Sequence, residues 1–189
     1  MKPTREQAEQ AVRTLIAWAG DNPDRKELLN TPKRVVKSYE EFFSGYGKTI
    51  DEHLSKNFEN TGEYNDMIIV RDIMFESHCE HHMVPIIGKA FVAYIPDKKI
   101  IGLSKIPRII DMFSKRLQIQ ERLVIEIAKC LDDVIKPKGV GVIIESSHQC
   151  LTIRGAYKPG SLMRTSHMLG CFREEKIRKE FLDSYSNSL

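Results

Sequence analysis

Long hydrophobic runs are absent from this sequence. No apolar stretch approaches the roughly 20 residues that a membrane-spanning helix requires, so we predict no membrane partner. Residues 1–7 contain no apolar segment of the kind that directs secretion, and we expect a cytoplasmic protein. The four cysteines are too few and too irregularly spaced for a disulfide framework. We therefore expect reduced thiols, which can bind metals as thiolates.

An excess of charge of either sign is also missing. The 29 basic residues nearly balance the 26 acidic ones and leave a net charge of +3. A dedicated nucleic-acid-binding protein carries a clear basic excess, so we predict no nucleic-acid partner. An anionic ligand should therefore be small and held by a few well-placed cations. With 189 residues and 41% hydrophobic content, the chain can form one domain with a small helical addition.

The N-terminal part of the sequence has helical patterns. Thr4 and Gln7 have the spacing of a capping box, and apolar residues follow at helical intervals. A second helix is predicted to start at Thr31, as an N-cap, with Pro32 in the first helical position. Both features predict a small helical region that precedes the main domain.

The remainder of the chain contains strand-like and helical segments in groups. Helical patterns cover about residues 105–135, as one or two helices, and residues 172–185. Segments rich in β-branched and apolar residues predict strands at 67–75, 86–95, 100–103, 139–147 and 151–158. Such grouping favours an α+β fold with an antiparallel sheet. We predict an N-terminal helical region of residues 1–60 and a core domain of residues 61–189.

Two short clusters of cysteine and histidine are the most informative feature. Cys79 and His82 lie in the first cluster, and Cys150 lies in the second. Two cysteines and one histidine suit zinc, and three protein ligands leave one coordination position open, as in catalytic sites. The alternatives are a closed structural site, with His78, His81 or His148 as fourth ligand, and no metal at all. Structural zinc knuckles place their ligand pairs about 12–20 residues apart, whereas 67 residues separate His82 from Cys150.

Each cluster contains a further histidine, His81 in the first and His148 in the second. A zinc-bound water has its pKa lowered to about 7, and thiolate ligands weaken this effect, so a nearby base helps. Imidazole can transfer protons near neutral pH, which makes both histidines candidates for acid–base catalysis. The alternative for each is a structural histidine that hydrogen-bonds a carbonyl group.

Four cations form a candidate anion-binding set. Lys105 and Arg108 are three residues apart at the predicted start of a helix, where anions are favoured. Arg154 follows the second cluster, and Arg34 lies near the start of the second helix. The functional interpretation is a polyphosphate site. The alternative is ordinary solvated charge.

Glu121 is a candidate for base recognition. Its carboxylate can accept two parallel N–H bonds, and the N1–H and exocyclic amine of guanine offer two such donors. The alternative is an acidic residue that is favoured in the first turn of a helix by the helix dipole.

Together, these segments resemble the GTP cyclohydrolase I family. The resemblance runs from about Thr31 to Leu182. It rests on five motifs in order: Cys79-Glu80-His81-His82 with Pro85 and Gly88-Lys89, Gly102-Leu103-Ser104-Lys105 with Arg108, Gln118-Ile119-Gln120-Glu121-Arg122-Leu123, Ser147-His148-Gln149-Cys150 and Ile153-Arg154-Gly155.

The resemblance implies a reaction and its catalytic residues. The family hydrolyses GTP at C8 of the purine, releases formate, and rearranges and recloses the ring to give 7,8-dihydroneopterin triphosphate. Pterin and folate biosynthesis begin with this step. The implied cofactor is Zn2+, held by Cys79, His82 and Cys150, and the implied proton carriers are His81 and His148.

The resemblance also implies a substrate site and an assembly. Guanine recognition falls to Glu121 and Gln120, with Ser104 nearby. Triphosphate binding falls to four cations: Lys105, Arg108, Arg154 and Arg34. The implied architecture is the tunnelling fold, in which sheets from several subunits join into a barrel, and the implied assembly is a homodecamer with sites between subunits. The sequence does not indicate whether a feedback regulatory protein binds.

Overall fold

The structure is a computed structural model that describes residues 2–50, 58–60 and 64–186. Within it the chain divides into two compact units, Met1–Ser44 and Gly45–Leu189. No helix in the described part of the chain is both long and apolar enough to cross a bilayer. The two units are described separately.

The N-terminal unit contains two helices, α1 (Arg5–Trp18) and α2 (Thr31–Phe42). The predicted capping box is confirmed, because the Thr4 hydroxyl accepts from the Gln7 amide and the Gln7 side chain accepts from the Thr4 amide. Pro32 lies in the first turn of α2, as predicted, although Thr31 is already helical and Asn30 occupies the cap position.

The second unit contains seven strands and four α-helices among its described residues. The strands are β1 (Phe58–Glu59), β2 (Ile68–Cys79), β3 (Pro85–Ile95), β4 (Lys99–Ile100), β5 (Leu117–Gln118), β6 (Gly139–His148) and β7 (Met163–Gly170). The helices are α3 (Lys105–Ser114), α4 (Gln120–Ile135), α5 (Gln149–Thr152) and α6 (Glu175–Ser186), and short 3-10 turns cover Ser44–Gly47 and Cys171–Arg173.

Five strands form one sheet in the order β5-β2-β3-β6-β7, and β1 pairs separately with β4. Strands β2, β3, β6 and β7 are antiparallel to their neighbours, while the two-residue β5 runs parallel to β2. The sheet is therefore mixed, with an antiparallel body. Grouped strands and grouped helices make the fold α+β, as the sequence predicts.

Successive side chains of a strand face opposite sides of the sheet, and both faces here are covered. On one face, β3 and β6 contribute Val92, Tyr94 and Val142 to a core shared with the buried side chains of α3 and α4. On the other face, Phe91 and Ile143 pack with Phe172, Phe181 and Tyr185. Helix α6 therefore covers one face of the sheet and α3 and α4 cover the other.

The predicted strand at residues 151–158 is wrong. The chain forms the short helix α5 instead and continues as a turn-rich loop up to β7, which the sequence did not predict. Gly155 and Gly160 have φ of +63° and +83°, and Tyr157 has φ of +49°. These left-handed residues prevent an extended strand, although Leu151 to Ile153 are apolar or β-branched. The predicted strand at 100–103 is likewise reduced to Lys99–Ile100.

Gly141 should be intolerant of a side chain because it lies under aromatic rings. A Cβ at this position would lie 2.6 Å from Phe172 and 2.7 Å from Phe181. We expect Gly141→Ala to lower the free energy of unfolding by about 1–3 kcal/mol through overpacking. The matched control is Gly47→Ala, because a Cβ there meets no atom within 4 Å. Equal urea midpoints for the two variants would contradict the observed packing of α6.

Candidate functional site

The two Cys/His clusters meet because strands β2 and β6 terminate at the same end of the sheet. Strand β2 ends at Cys79 and β6 ends at His148, on either side of the start of β3. His78 pairs with Pro85, and the next residue of β3, Ile86, pairs with His148. Residues that are far apart in sequence are therefore fixed on either side of β3, about two strand spacings or roughly 10 Å apart.

A tight turn returns His82 to Cys79. The Cys79 amide donates to the Val84 carbonyl at 2.9 Å, and the Met83 amide donates to the Cys79 carbonyl at 2.8 Å. Met83 closes this turn with φ of +55°, a left-handed conformation that is unfavourable for a residue with a side chain. The result places His82 Nδ1 3.9 Å from Cys79 Sγ.

Cys79, His82 and Cys150 form a group suited to a metal ion, with donor atoms all within 4.8 Å of one another. Bond lengths of about 2.3 Å for Zn–S and 2.0 Å for Zn–N place tetrahedral donors roughly 3.5–3.8 Å apart, so small adjustments satisfy zinc. Burial, and then the neighbouring Cys79, raises the pKa of the Cys150 thiol, while Arg154 opposes this. Two adjacent thiols provide a site for a soft cation.

A fourth protein ligand is not part of this group. Among residues 2–50, 58–60 and 64–186, the group contains only two cysteines and one histidine. His78 precedes Cys79 on β2, so its side chain faces the other side of the sheet, where burial lowers the pKa of its imidazole. The three-donor arrangement favours an open site over the closed structural site that the sequence left as an alternative.

A cavity of about 320 Å³ adjoins the candidate metal group. This volume lies at the lower end of the range for small-molecule sites. The cavity brings together one metal cysteine from each cluster, both candidate proton carriers and the candidate base-recognition residues. Its lining is Cys79, Glu80, His81, Gln118, Ile119, Gln120, Glu121, His148, Cys150 and Met163.

His148 is held against the first residue of α4. Its Nε2 lies 2.8 Å from Oε1 of Gln120, which is only 1% exposed. Burial lowers the pKa of the His148 imidazole, and the charge of Glu121 opposes this effect. Glu121 itself is exposed at the start of α4 and lines the cavity.

An ion pair that the sequence did not predict connects the metal-binding turn to α4. Arg122 pairs with Glu80, which follows the candidate metal ligand Cys79, and also donates to the Gln118 side chain at 3.1 Å. The Glu80 amide donates to the Gln118 carbonyl at 3.1 Å. The i,i+4 spacing of Gln118 and Arg122 was visible in the sequence, but their partner Glu80 is 42 residues from Arg122. Met163, which lines the cavity, had no sequence signal.

Two of the four predicted anion-binding cations, and Ser104 from the predicted guanine site, are not found at this cavity. Ser104, Lys105 and Arg108 are not among its lining residues in the described part of the chain. They lie at the start of α3, a few residues after Ile101, whose amide donates to the Tyr94 hydroxyl. Tyr94 pairs with Ile68, the end of β2 opposite to Cys79. The 12 residues of β2 place its ends roughly 35 Å apart.

The other two predicted cations have different positions. Arg154 is exposed on the loop after α5. Its charge opposes the burial that raises the pKa of the Cys150 thiol, so Arg154 lies on the side of the candidate metal group. Arg34 is part of α2 in the N-terminal unit. A role for Arg34 at the site stays a prediction.

Comparison with known proteins identifies relatives over nearly the whole chain. Residues 8–186 match the family model of GTP cyclohydrolase I. A GTP cyclohydrolase 1 of Brucella anthropi is 53% identical over 180 residues, which cover 94% of this chain and 84% of that protein. A GTP cyclohydrolase 1 of Bartonella bacilliformis is 51% identical over 172 residues, which cover 91% and 84% of the two chains.

A solved structure with a weaker likeness is the archaeosine synthase QueF-Like in the apo form. It matches with a TM-score of 0.44 and 18% identity, over 57% of this chain and 94% of that chain. A likeness at this level has no bearing on fold or function.

The geometry predicts which substitutions remove the metal. We expect Cys150→Ser to lose most of its bound zinc, because a neutral hydroxyl is a poor substitute for a thiolate on a soft ion. His148→Asn should keep about one zinc per chain, since His148 is not in the donor group. Metal content of the purified variants, measured by inductively coupled plasma mass spectrometry, tests this. Equal zinc loss in both variants would point to a closed site that includes His148.

Proposed function

The chain belongs to the GTP cyclohydrolase I family, and on that premise we propose how its residues carry out the reaction. It is an enzyme that hydrolyses GTP at C8 of the purine, releases formate and rearranges the product to 7,8-dihydroneopterin triphosphate. The observation that supports the residue assignments is the metal-donor group beside a cavity that also contains His81, His148 and Glu121.

We propose that Cys79, His82 and Cys150 hold a zinc ion. When bound, zinc supplies a Lewis acid and lowers the pKa of a coordinated water to about 7. The three protein donors supply the soft, tetrahedral part of the coordination shell. The turn closed by Met83 and the Arg122–Glu80 pair keep Cys79 and His82 in place while substrate enters and leaves.

His81 and His148 are proposed as proton carriers. Opening the imidazole ring of guanine requires protons at ring nitrogens, and imidazole side chains supply them near neutral pH. Both histidines line the cavity, and each lies within two residues of a proposed metal ligand. Protons can therefore be delivered next to the site of attack.

Glu121 is proposed to recognise guanine. Its position in the first turn of α4 directs an exposed carboxylate towards the cavity that contains the metal group. A carboxylate there accepts from N1–H and the exocyclic amine of guanine, whereas adenine has no such donor pair. This pairing distinguishes guanine from adenine, and therefore GTP from ATP.

The triphosphate site is proposed to include residues of a second copy of the chain. Lys105 and Arg108, with Ser104, are not among the residues that line the cavity, and they follow Ile101, which contacts Tyr94 at the end of the sheet opposite to Cys79. The same residues on an adjacent copy can approach the cavity from outside. Arg154, on the side of the metal group, and Arg34 complete the proposed set.

Two edges of the sheet support this assembly. In the described part of the chain, β7 pairs on one side only, and β2 pairs along its outer edge only with the two-residue β5. Open edges favour pairing with another chain. We propose the tunnelling fold, in which the sheets of several subunits join into a barrel, and a homodecamer.

The division into residues 1–60 and 61–189 and the cytoplasmic location also stay proposals.

The guanine assignment predicts a selective loss in Glu121→Gln. The substitution keeps the shape but removes one acceptor and the charge, so we expect transition-state stabilisation for GTP to fall by about 2–4 kcal/mol. The measurement is kcat/KM from the release of formate and of a pterin that fluoresces after oxidation. Glu180→Gln, at an exposed position on α6, is the control. Normal turnover of GTP by Glu121→Gln, or efficient turnover of ATP by the unmodified enzyme, would contradict the assignment.

The composite site predicts complementation between two inactive variants. Arg108→Ala and His148→Asn chains should each be slow alone, but co-expressed chains should regain up to about a quarter of normal activity, because random mixing restores that share of two-chain sites. Co-expression of His81→Asn with His148→Asn should restore none, since both residues line the same cavity of one chain. Light scattering should show a large oligomer. A monomer at micromolar concentration, or no complementation, would contradict the proposal.

A further inference from the structure

Both polar atoms of the Gln120 side chain are hydrogen-bonded to other residues of the protein. Its side chain is 1% exposed and makes five hydrogen bonds within the protein. The amide nitrogen donates to the Ile144 and Met163 carbonyls at 3.1 and 3.0 Å and to the Thr165 hydroxyl at 3.2 Å. The amide oxygen lies 2.6 Å from Ser146 Oγ and 2.8 Å from His148 Nε2.

These contacts fix the orientation of the Gln120 amide. The carbonyls of Ile144 and Met163 can only accept, so the NH2 group must face them. A flipped amide would bring its oxygen against two carbonyl oxygens and leave buried acceptors without donors. The oxygen of Gln120 therefore faces Ser146 and His148, and the serine hydroxyl donates to it.

The orientation of the amide in turn fixes the tautomer of His148. An amide oxygen cannot donate, so the 2.8 Å contact is a hydrogen bond only when His148 Nε2 carries a hydrogen. In the neutral imidazole the other ring nitrogen, Nδ1, then carries the free lone pair. Gln120 thus determines which nitrogen of His148 can take up a proton.

The same contacts leave the side chain of Gln120 little capacity for substrate. Its oxygen already accepts from two donors, and its two N–H groups are shared among three acceptors. A guanine contact through this amide would have to break buried bonds. The guanine role implied by the resemblance therefore has less support for Gln120 than for the exposed carboxylate of Glu121.

We propose that Gln120 is a positioning residue that holds His148 in the Nε2–H tautomer, so that Nδ1 is the atom through which His148 exchanges protons. The consequence for catalysis rests on the proposed role of His148 as a proton carrier. Without Gln120, the ring of His148 can rotate and interconvert between tautomers, and only a fraction of the enzyme then presents the competent nitrogen.

The kinetic test compares Gln120→Met with substitutions of its partners. Methionine has a similar volume but cannot form the hydrogen bonds. We therefore expect kcat to fall by roughly 10–100-fold, as when a residue that orients a functional histidine is lost. The KM for GTP and the zinc content should change little. The control Thr165→Val removes one acceptor of the amide nitrogen and leaves the contact between Gln120 and His148 in place. It should keep near-normal kcat.

The tautomer itself is measured by solid-state NMR on the zinc-loaded enzyme with 15N-labelled histidine. The His148 signal is identified by its loss in His148→Asn. Nε2–H should predominate for His148 in the unmodified enzyme and in Thr165→Val, and a mixture should appear in Gln120→Met. This measurement on the unmodified enzyme decides the question even if Gln120→Met does not fold.

Two results would overturn the proposal. One is an Nδ1–H tautomer of His148 in the unmodified enzyme. The other is a raised KM for GTP with unchanged kcat in Gln120→Met, which would assign Gln120 to substrate binding. The role of His148 is tested separately by His148→Asn, for which we expect a loss of roughly 10²–10⁴-fold in kcat. A normal rate there would refute the proton-carrier role, while the NMR result would still decide what Gln120 does.

Discussion

The register between β3 and its two neighbours is the constraint on which the site depends. His78 on β2 and His148 on β6 lie opposite adjacent residues at the start of β3. Cys79, at the end of β2, and Cys150, just after β6, therefore lie at the same end of the sheet. A shift of one residue in either pairing would turn the strand over and move its buried side chains to the wrong face. The packing of both sheet faces therefore also fixes the positions of the metal donors.

Helix α4 supplies the second half of the site and is attached to it by the buried Gln120 amide and by an exposed ion pair of Arg122. Gln120 joins the first turn of α4 to β6 and β7, and Arg122 joins the same turn to the metal-binding turn through Glu80. Polar groups in such places are costly unless they are paired, and the Gln120 amide is fully paired. The helix that contains the carboxylate proposed to recognise guanine thus also contacts His148, at the end of β6, through Gln120.

The residues proposed to bind a nucleoside triphosphate do not all meet at one cavity of the chain. Cys79 and Cys150 of the candidate metal group, the proposed proton carriers and Glu121 meet at one cavity, whereas Lys105 and Arg108 are not among its lining residues. The open edge of β7 offers a way for another copy to approach. The unpaired edge of the sheet, in the described part of the chain, is therefore relevant both to the proposed assembly and to the proposed binding of substrate.

The sequence by itself determined the α+β class, the capping box at Thr4, the positions of β2, β3 and β6 and the candidate metal group of Cys79, His82 and Cys150, because these depend on local periodicity and on the chemistry of Cys and His. It failed at residues 151–158, where left-handed residues such as Gly155 override apolar composition. Only the tertiary structure decided the partners of Gln120 and Glu80 and the separation of Lys105 from the cavity. Those facts depend on contacts between residues distant in the chain, which strand register and helix packing fix and which no local pattern encodes.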